Sequence, residues 1–598
     1  MDSTKIDPFV QYCQQNEIPI YTPGAPEYER SVATSNLLYR YSRPDYVVQP
    51  RNDGDVIKIV VEAKSRQIPI IIKNGGHSYS GFSTTNKGIS LDLVRMKEVT
   101  LDIDNMMVTL EGGALWGHAY KKLVNGRHDG FVINGGRCPT VGVSGFVLGG
   151  GLGPFTRSFG MGCDTLEEVS IVTASGDLVT VTHKDMTENP HSDRGRLFWA
   201  ICGAGGGNFG VVVKLKMRVQ KLANEKGKVV AGRYEWSPNR KDSRRFFKIM
   251  NTFYTADWPK EMTIDTSWVC DTKSTTPIMV RFLVYYDGEQ EPFDKIISDP
   301  RFIDSPDLSK HLKRRCLVEG SSRFFHETLV SQWSEEIVKS FPATRLFNIY
   351  TSFVFKNKPE KIKLITEIIE TEMESFRDLY SEEKALLQVT WIHSGGKVND
   401  YQRYDTAYRW RGGSYHAYIM IEWDGKWLEQ NMRGFLQGFK DKLKPHSLGK
   451  KAVFINFPDG ALQEDEYEKS YYGNNYLKLR EVKQAWDAGN YFNWSQGVKL
   501  PRSEATADPK GIEALTLSTE TEDVEESSEA VQDDAETLAK RKHEVVLKVE
   551  HPIDEQKLTD SIASEAWRTY VIPPAKDVSE ILKTGFVGGV YALDDLGF

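Results

Sequence analysis

Cysteine is scarce in this chain: six in 598 residues, with no CxxC pair among them. That spacing excludes a disulfide framework and the Cys/His zinc patterns. Long apolar runs are also missing, and a membrane-spanning helix would need roughly 18 such residues in succession. The opening stretch, MDSTKIDPFVQYCQQ, carries charges at Asp2, Lys5 and Asp7 where a secretory signal has its apolar centre. An intracellular, cytoplasmic location is the expectation, and Asn493-Trp494-Ser495 is then a chance sequon. There is no basic excess, since the formal charge is −7. Neither nucleic acid nor a membrane is therefore expected as a partner, and the sequence sets no oligomeric state. Both G-x-x-x-x-G-K-[ST] and H-E-x-x-H are absent, so nucleotide hydrolysis and zincin chemistry have no motif behind them, and no metal is expected.

The charge that is present sits unevenly. Residues 503–598 hold 22 Asp/Glu against 9 Lys/Arg, a net −13, which leaves +6 for the rest. Within 511–539 there are ten acidic residues and no Lys or Arg, the composition of a solvated linker. An acidic disordered linker is expected over 503–545, with a small appendage at 546–598. There LTDSIASEAWRTYV (558–571) has the spacing of one amphipathic helix.

The rest of the chain is too long for one core. Between 46 and 222, ISLDL (89–93), MMVTLEGG (106–113), VSIVTASGDLVTV (169–181) and GVVVKLKMRV (210–219) read as strands separated by glycine-rich turns. DVIKIVVEAKSR (55–66) and LWGHAYKKLV (115–124) have helical spacing. From about 230 to 450, long strand candidates (277–287, 385–396 and 414–425) alternate with helical segments such as 359–376. The fold class is α+β, with an antiparallel sheet and helices forming a second domain.

Three glycine clusters stand out. In GAGGGNFG (203–210), Gly205, Gly207 and Gly210 satisfy G-x-G-x-x-G, but a strand-like run follows where a dinucleotide fold needs a helix. GGRCPTVGVSGFVLGGGLG (135–153) has glycines dense enough to be costly unless the backbone must approach a ligand, and it surrounds Cys138. A lone cysteine is commonly an inert apolar residue; before Pro139 and among glycines it faces whatever the loop admits. In NGGHSYSG (74–81), the amides of Asn74, Gly75, Gly76, His77 and Ser78 suit an anion-binding nest, although His77 alone reads equally well as a structural histidine.

Taken together, these residues closely resemble the FAD-linked oxidases of the vanillyl-alcohol oxidase type, berberine-bridge-enzyme-like branch, over roughly residues 40–501. The resemblance implies an N-terminal segment (1–40), a PCMH-type FAD-binding domain (41–222), a substrate domain (223–450) and a return motif (451–502) completing the FAD domain. It places the histidyl link to the flavin 8α-methyl on His77 and the cysteinyl link to C6 on Cys138. Ser78, Gly81, Val141, Gly142, Gly145, Gly149, Gly150, Gly210, Val211 and Asn475 fall on further cofactor-binding positions. It also implies a small organic substrate, dioxygen as acceptor (Val141 being the oxidase-type residue beside the flavin) and a tailoring role in secondary metabolism. A carbohydrate oxidase or a flavin-bearing non-redox protein is the alternative. The chain departs from the pattern in FINFPDG (454–460), where Phe457 replaces the usual tyrosine and closes that proton route. Leu152, Phe146 and Ala488 are further departures. Catalytic candidates are therefore His416 and Tyr418, two apart on one strand face, and Tyr79, while Asp459 is expected to cap or pair locally.

Overall fold

The structure, a computed structural model, describes residues 7–237, 243–276, 278–342 and 345–502. The acidic linker and appendage expected from the sequence, with the helix at 558–571, lie outside the described residues.

Three sheets organise the described chain. The first pairs Ile20–Tyr21, Tyr46–Val48, Ile89–Asp92 and Ile70–Lys73 in that order, the last three strands parallel. Its crossover is the helix Asp53–Ser65. Asn52 caps it by accepting from the Asp55 amide at 2.9 Å, and Val56, Ile59, Val60 and Ala63 form its buried stripe. The second sheet is antiparallel and centres on Gly210–Lys221, flanked by Met107–Glu111 and Leu166–Thr173, with Val99–Asp102 and Leu178–Thr182 at its edges. Phe131–Ile133 also pairs with Gly210–Lys221.

The third sheet has seven antiparallel strands: Cys316–Gly320, Lys228–Trp236, Met279–Tyr286, Met262–Asp271, Ala385–His393, Tyr415–Trp423 and Phe347–Phe355. Strand alternation divides its side chains between two cores. Along Tyr415–Trp423, Tyr415, Ala417, Ile419 and Ile421 pack into one core with Phe253, Ile362, Ile369 and Phe439 from the helices Ser243–Thr255, Pro359–Leu379 and Glu429–Leu443. Tyr418 and Met420 face the opposite way and join the core that holds Val143, Leu148 and Phe209. One sheet face thus belongs to the helices, and the other is turned toward the glycine-rich loops.

The two regions are also joined by buried ion pairs. Arg411 holds Asp164 through two contacts of 2.8 Å, and Arg137 reaches Asp265 on the seven-stranded sheet. After the sheet the chain returns: Tyr472 donates to the Ala204 carbonyl at 2.9 Å, Lys483 to that of Asn208 at 2.7 Å, and Tyr491 to that of Ile68 at 2.9 Å. Residues 451–502 therefore close against the elements that begin the fold.

Candidate active site

Two of the glycine loops meet backbone to backbone. A Cβ placed on Gly75 would lie 2.7 Å from the Gly142 nitrogen, and one on Gly142 would lie 2.1 Å from Asn74 Oδ1. Asn74 fastens the junction, accepting from the Ser144 amide at 3.2 Å and donating to the Ala114 carbonyl at 3.3 Å. The second loop is pinned in turn to the start of the helix Trp116–Asn125, with Trp116 and Gly117 donating to the carbonyls of Val141 and Pro139. Gly76, at φ +72°, supplies the left-handed turn that swings the chain into His77.

A single cleft runs along this junction. It is lined by Asn74, Gly75, Gly76, His77 and Ser78 of the first loop, by Cys138, Val141, Gly142 and Gly145 of the second, and by Gly205, Gly206, Gly207 and Gly210 of the third. At Gly145 an added Cβ would meet no atom within 4 Å, so the glycines leave room that side chains would fill. His77 is held neutral, burial pushing its imidazole down to about 4, partly offset by the Thr140 backbone. Burial pushes the Cys138 thiol up to about 11, and the Thr140 hydroxyl 3.2 Å from its sulfur works the other way.

The far end of the cleft is aromatic. Tyr79 stacks on Tyr350 with centroids 4.1 Å apart, and Phe457 lies 5.8 Å from Tyr79 and 5.0 Å from Tyr418. The hydroxyl of Tyr418 is buried and has no hydrogen-bond partner. Burial raises its phenol far above the ordinary range, with Glu336 adding to the shift, while Thr390 and Arg281 oppose it. Leu152 and Phe146 also line the cleft. Asp459 is paired locally, 3.0 Å from Lys440 Nζ and accepting from Thr351 at 2.8 Å.

Not every expected residue reaches the cleft. His416 is fully buried outside its lining, Nδ1 2.7 Å from the Ser394 hydroxyl and Nε2 bonded to the Tyr408 hydroxyl. The strand face is shared with Tyr418, but two residues advance a strand by about 6.7 Å. Over that step the cover changes from open cleft to Phe454, whose ring sits 5.0 Å from His416. Asn475 likewise lies away from it, donating to the carbonyls of Arg403, Thr406 and Ala407. Gly81 packs on Tyr39, Gly149 on Asn456 and Gly150 on Met161, and Val211 is buried in the core beneath the first sheet. These positions shape the loops from behind. FINFPDG lies in a turn. Sequence reasoning missed Trp333, Glu336, Lys339, Asn348 and Tyr350, all of which line the cleft.

The buried histidines give the protein a signature in acid. Burial, with Arg137 and Arg411 adding to it, depresses His416 to about 3; burial and Arg157 hold His393 well below its usual value. An unfolded histidine titrates near 6.5. Below that pH the unfolded chain binds protons that the folded protein refuses. Their contribution is complete above pH 6.5 and falls by about 1.4 kcal/mol per pH unit per imidazole as pH drops toward 3. Urea midpoints measured from pH 7 to 5 should therefore decline, and His416→Gln should flatten the slope whatever it does to absolute stability.

A glycine-lined cleft that lets a ligand approach the backbone, with an aromatic wall at its far end, suits the binding of a large cofactor. Residues 44–182 match the FAD binding domain model, and 453–499 match the model for berberine and berberine-like proteins. The chain thus carries two segments that match the models of FAD-linked, berberine-like proteins, and it is an enzyme of the FAD-linked oxidoreductase class. It is 25% identical to the FAD-linked oxidoreductase YgaK of Bacillus subtilis (strain 168), over 80% of this chain and 96% of the relative. Tetrahydroberberine oxidase of Argemone mexicana is 22% identical over 84% of this chain and 91% of that protein. Among solved structures, an Acremonium strictum glucooligosaccharide oxidase described as having a novel flavinylation superposes with a TM-score of 0.68. It is 19% identical, over 84% of this chain and all of that one, so this likeness bears on the fold alone.

Proposed function

We propose that this enzyme oxidises a small organic substrate on an FAD tethered at both His77 and Cys138, with dioxygen as the final acceptor. The observation that carries the reading is the Gly75–Gly142 contact, which fixes the two candidate attachment loops to one another along one wall of one cleft. The wall fits FAD: nest amides from residues 74–78 suit the pyrophosphate, and glycines of the other loops leave space for the ring system. FAD, when bound, supplies the electron sink, taking two electrons from the substrate and passing them to dioxygen to give hydrogen peroxide.

The remaining work belongs to the chain's own side chains. Tyr79, stacked on Tyr350 and flanked by Phe457, forms an aromatic wall against which a flat or apolar substrate would lie. Phe457 exchanges no proton, and His416 is sealed behind Phe454. The polar group left at the substrate is the Tyr418 hydroxyl, a cleft-lining phenol that burial keeps protonated, so it orients the reacting group by donating a hydrogen bond, with Tyr79 the second candidate. The products are an oxidised alcohol or a new C=C, C=N or C–C bond, and a tailoring step in secondary metabolism remains the context that the family resemblance suggests.

Single replacements test the attachment. His77→Ala and Cys138→Ala should each leave flavin in the acid-precipitated protein through the other link, with a changed absorption spectrum. The double variant should release its flavin to the supernatant. An unchanged spectrum in either single variant would remove that residue from the assignment.

A further inference from the structure

Cys138 is tied on both sides to the region that carries the seven-stranded sheet. Before it, Arg137 donates to Asp265 of Met262–Asp271 at 3.0 Å, and Asp265 also accepts from the His393 amide at 2.9 Å. After it, the Thr140 hydroxyl lies 3.2 Å from the Cys138 sulfur and 3.3 Å from the hydroxyl of Ser340. Ser340 caps the short helix Ser334–Lys339, its amide donating to the carbonyls of Glu336 and Ile337. Its hydroxyl donates to the Ile337 carbonyl at 2.6 Å.

These contacts have a direction. A carbonyl only accepts, so the Ser340 hydrogen is committed to Ile337, and each hydroxyl has one hydrogen to give. Thr140 then donates to Ser340, and the hydrogen left for the contact between Thr140 and Cys138 is that of the thiol. No other order satisfies all three contacts. Cys138 and Ser340 line the cleft and Thr140 does not. The thiol hydrogen is thus turned toward Thr140, which leaves the sulfur lone pairs to the cleft. With Arg137 fixing the chain before it, rotation about Cα–Cβ is the freedom left to Cys138, and the Thr140 contact sets it. When the thiol ionises, the same hydroxyl turns to donate to the sulfur, opposing the upward push of burial. Thr140 also reaches the other loop: its carbonyl lies 2.9 Å from where a Gly75 Cβ would stand, and its backbone raises the His77 imidazole against burial.

We propose that Thr140 is a positioning residue for the sulfur link to the flavin, holding the Cys138 thiol through a hydroxyl chain anchored on Ser340, so that the pace of that link depends on the helix Ser334–Lys339. The inference deepens the reading of the cleft as a doubly attached flavin site and rests on it. The link replaces one S–H and one C6–H bond with an S–C6 bond. The two electrons pass through the flavin to dioxygen, which leaves with both hydrogens as hydrogen peroxide.

Thr140→Val keeps the branched shape and removes the hydroxyl, whereas Thr140→Ser keeps the hydroxyl and removes the methyl. These variants, Ser340→Ala and wild type are purified after brief expression and incubated in air, and the flavin-bearing His77 and Cys138 peptides are followed by mass mapping. Thr140→Val should form the Cys138 link at least about fivefold more slowly than wild type, the weight of one hydrogen bond, with the His77 link at its wild-type level. Ser340→Ala should fall between the two, and Thr140→Ser should keep pace with wild type. A Thr140→Val protein indistinguishable from wild type would overturn the proposal. So would Thr140→Ser as slow as Thr140→Val, which makes shape rather than the hydroxyl the working part, or a His77 link slowed equally, which marks a displaced loop. Wild-type protein with flavin on neither residue would instead overturn the reading of the cleft, so the two failures are distinguishable.

Discussion

Gly142→Ala should empty the protein of flavin and destabilise it, whereas Gly145→Ala, three residues on, should spare the fold. At Gly142 the backbone sits at φ −69°, a conformation alanine adopts freely, so strain in the main chain is not the reason. The reason is space. The new methyl would lie 2.1 Å from Asn74 Oδ1 and 2.6 Å from the Gly75 nitrogen, both in the loop that delivers His77. Relief requires that loop to move away, breaking the Asn74–Ser144 hydrogen bond and opening the nest. Overpacking of this kind costs about 1–3 kcal/mol, and the displaced loop no longer presents His77 beside Cys138. Gly145 lies within the helix Val143–Leu148 with nothing within 4 Å of an added Cβ. Alanine there favours the helix by up to about 1 kcal/mol, and its methyl takes up space beside the cleft. The expected pair of results is a lower melting temperature with little flavin for Gly142→Ala, and an unchanged or higher one with reduced flavin content for Gly145→Ala. Equal flavin content in wild type and Gly142→Ala would contradict the loop junction.

Tyr418→Phe should separate chemistry from stability in the opposite sense. The hydroxyl is buried and unpartnered, so removing it leaves no broken hydrogen bond and even relieves a desolvated group. The ring stays in its place beside Phe457 and Tyr79. Stability should remain within about 0.5 kcal/mol of wild type or rise. Turnover should fall by about tenfold, the loss of one positioned hydrogen bond worth about 1.4 kcal/mol. Flavin reduction under anaerobic single-turnover conditions reads this step apart from reoxidation. A rate within twofold of wild type would pass the role to Tyr79. His416→Gln should behave differently again, changing stability and its pH dependence through Ser394 and Tyr408 more than it changes the reductive rate.

These contrasts show where the sequence was legible. NGGHSYSG and the run from Cys138 to Gly153 are contiguous, and their glycine density reports a backbone that must come close to something, so the glycine-lined side of the cleft was readable. That Tyr418 faces the cleft was readable from strand alternation. His416 was misplaced by the same rule, because alternation gives the face of a strand and not where its cover changes; here that cover is Phe454, from the return segment. Glu336, Lys339 and Asn348 carried no signal. They sit on a short polar helix and a strand whose partner is a cleft built from residues about 200 positions earlier, as the Thr140–Ser340 hydroxyl contact of 3.3 Å illustrates. Asn475 matched a motif, but its amide serves three carbonyls of the scaffold.

The central claim, two attachments on two abutting loops, has one direct measurement. Wild-type protein is precipitated with acid, digested, and its peptides mapped by mass. A yellow pellet is expected, with a single FAD-derived mass bridging the peptide that contains His77 and the peptide that contains Cys138. A colourless pellet, or flavin mass confined to peptides that contain neither residue, would contradict it.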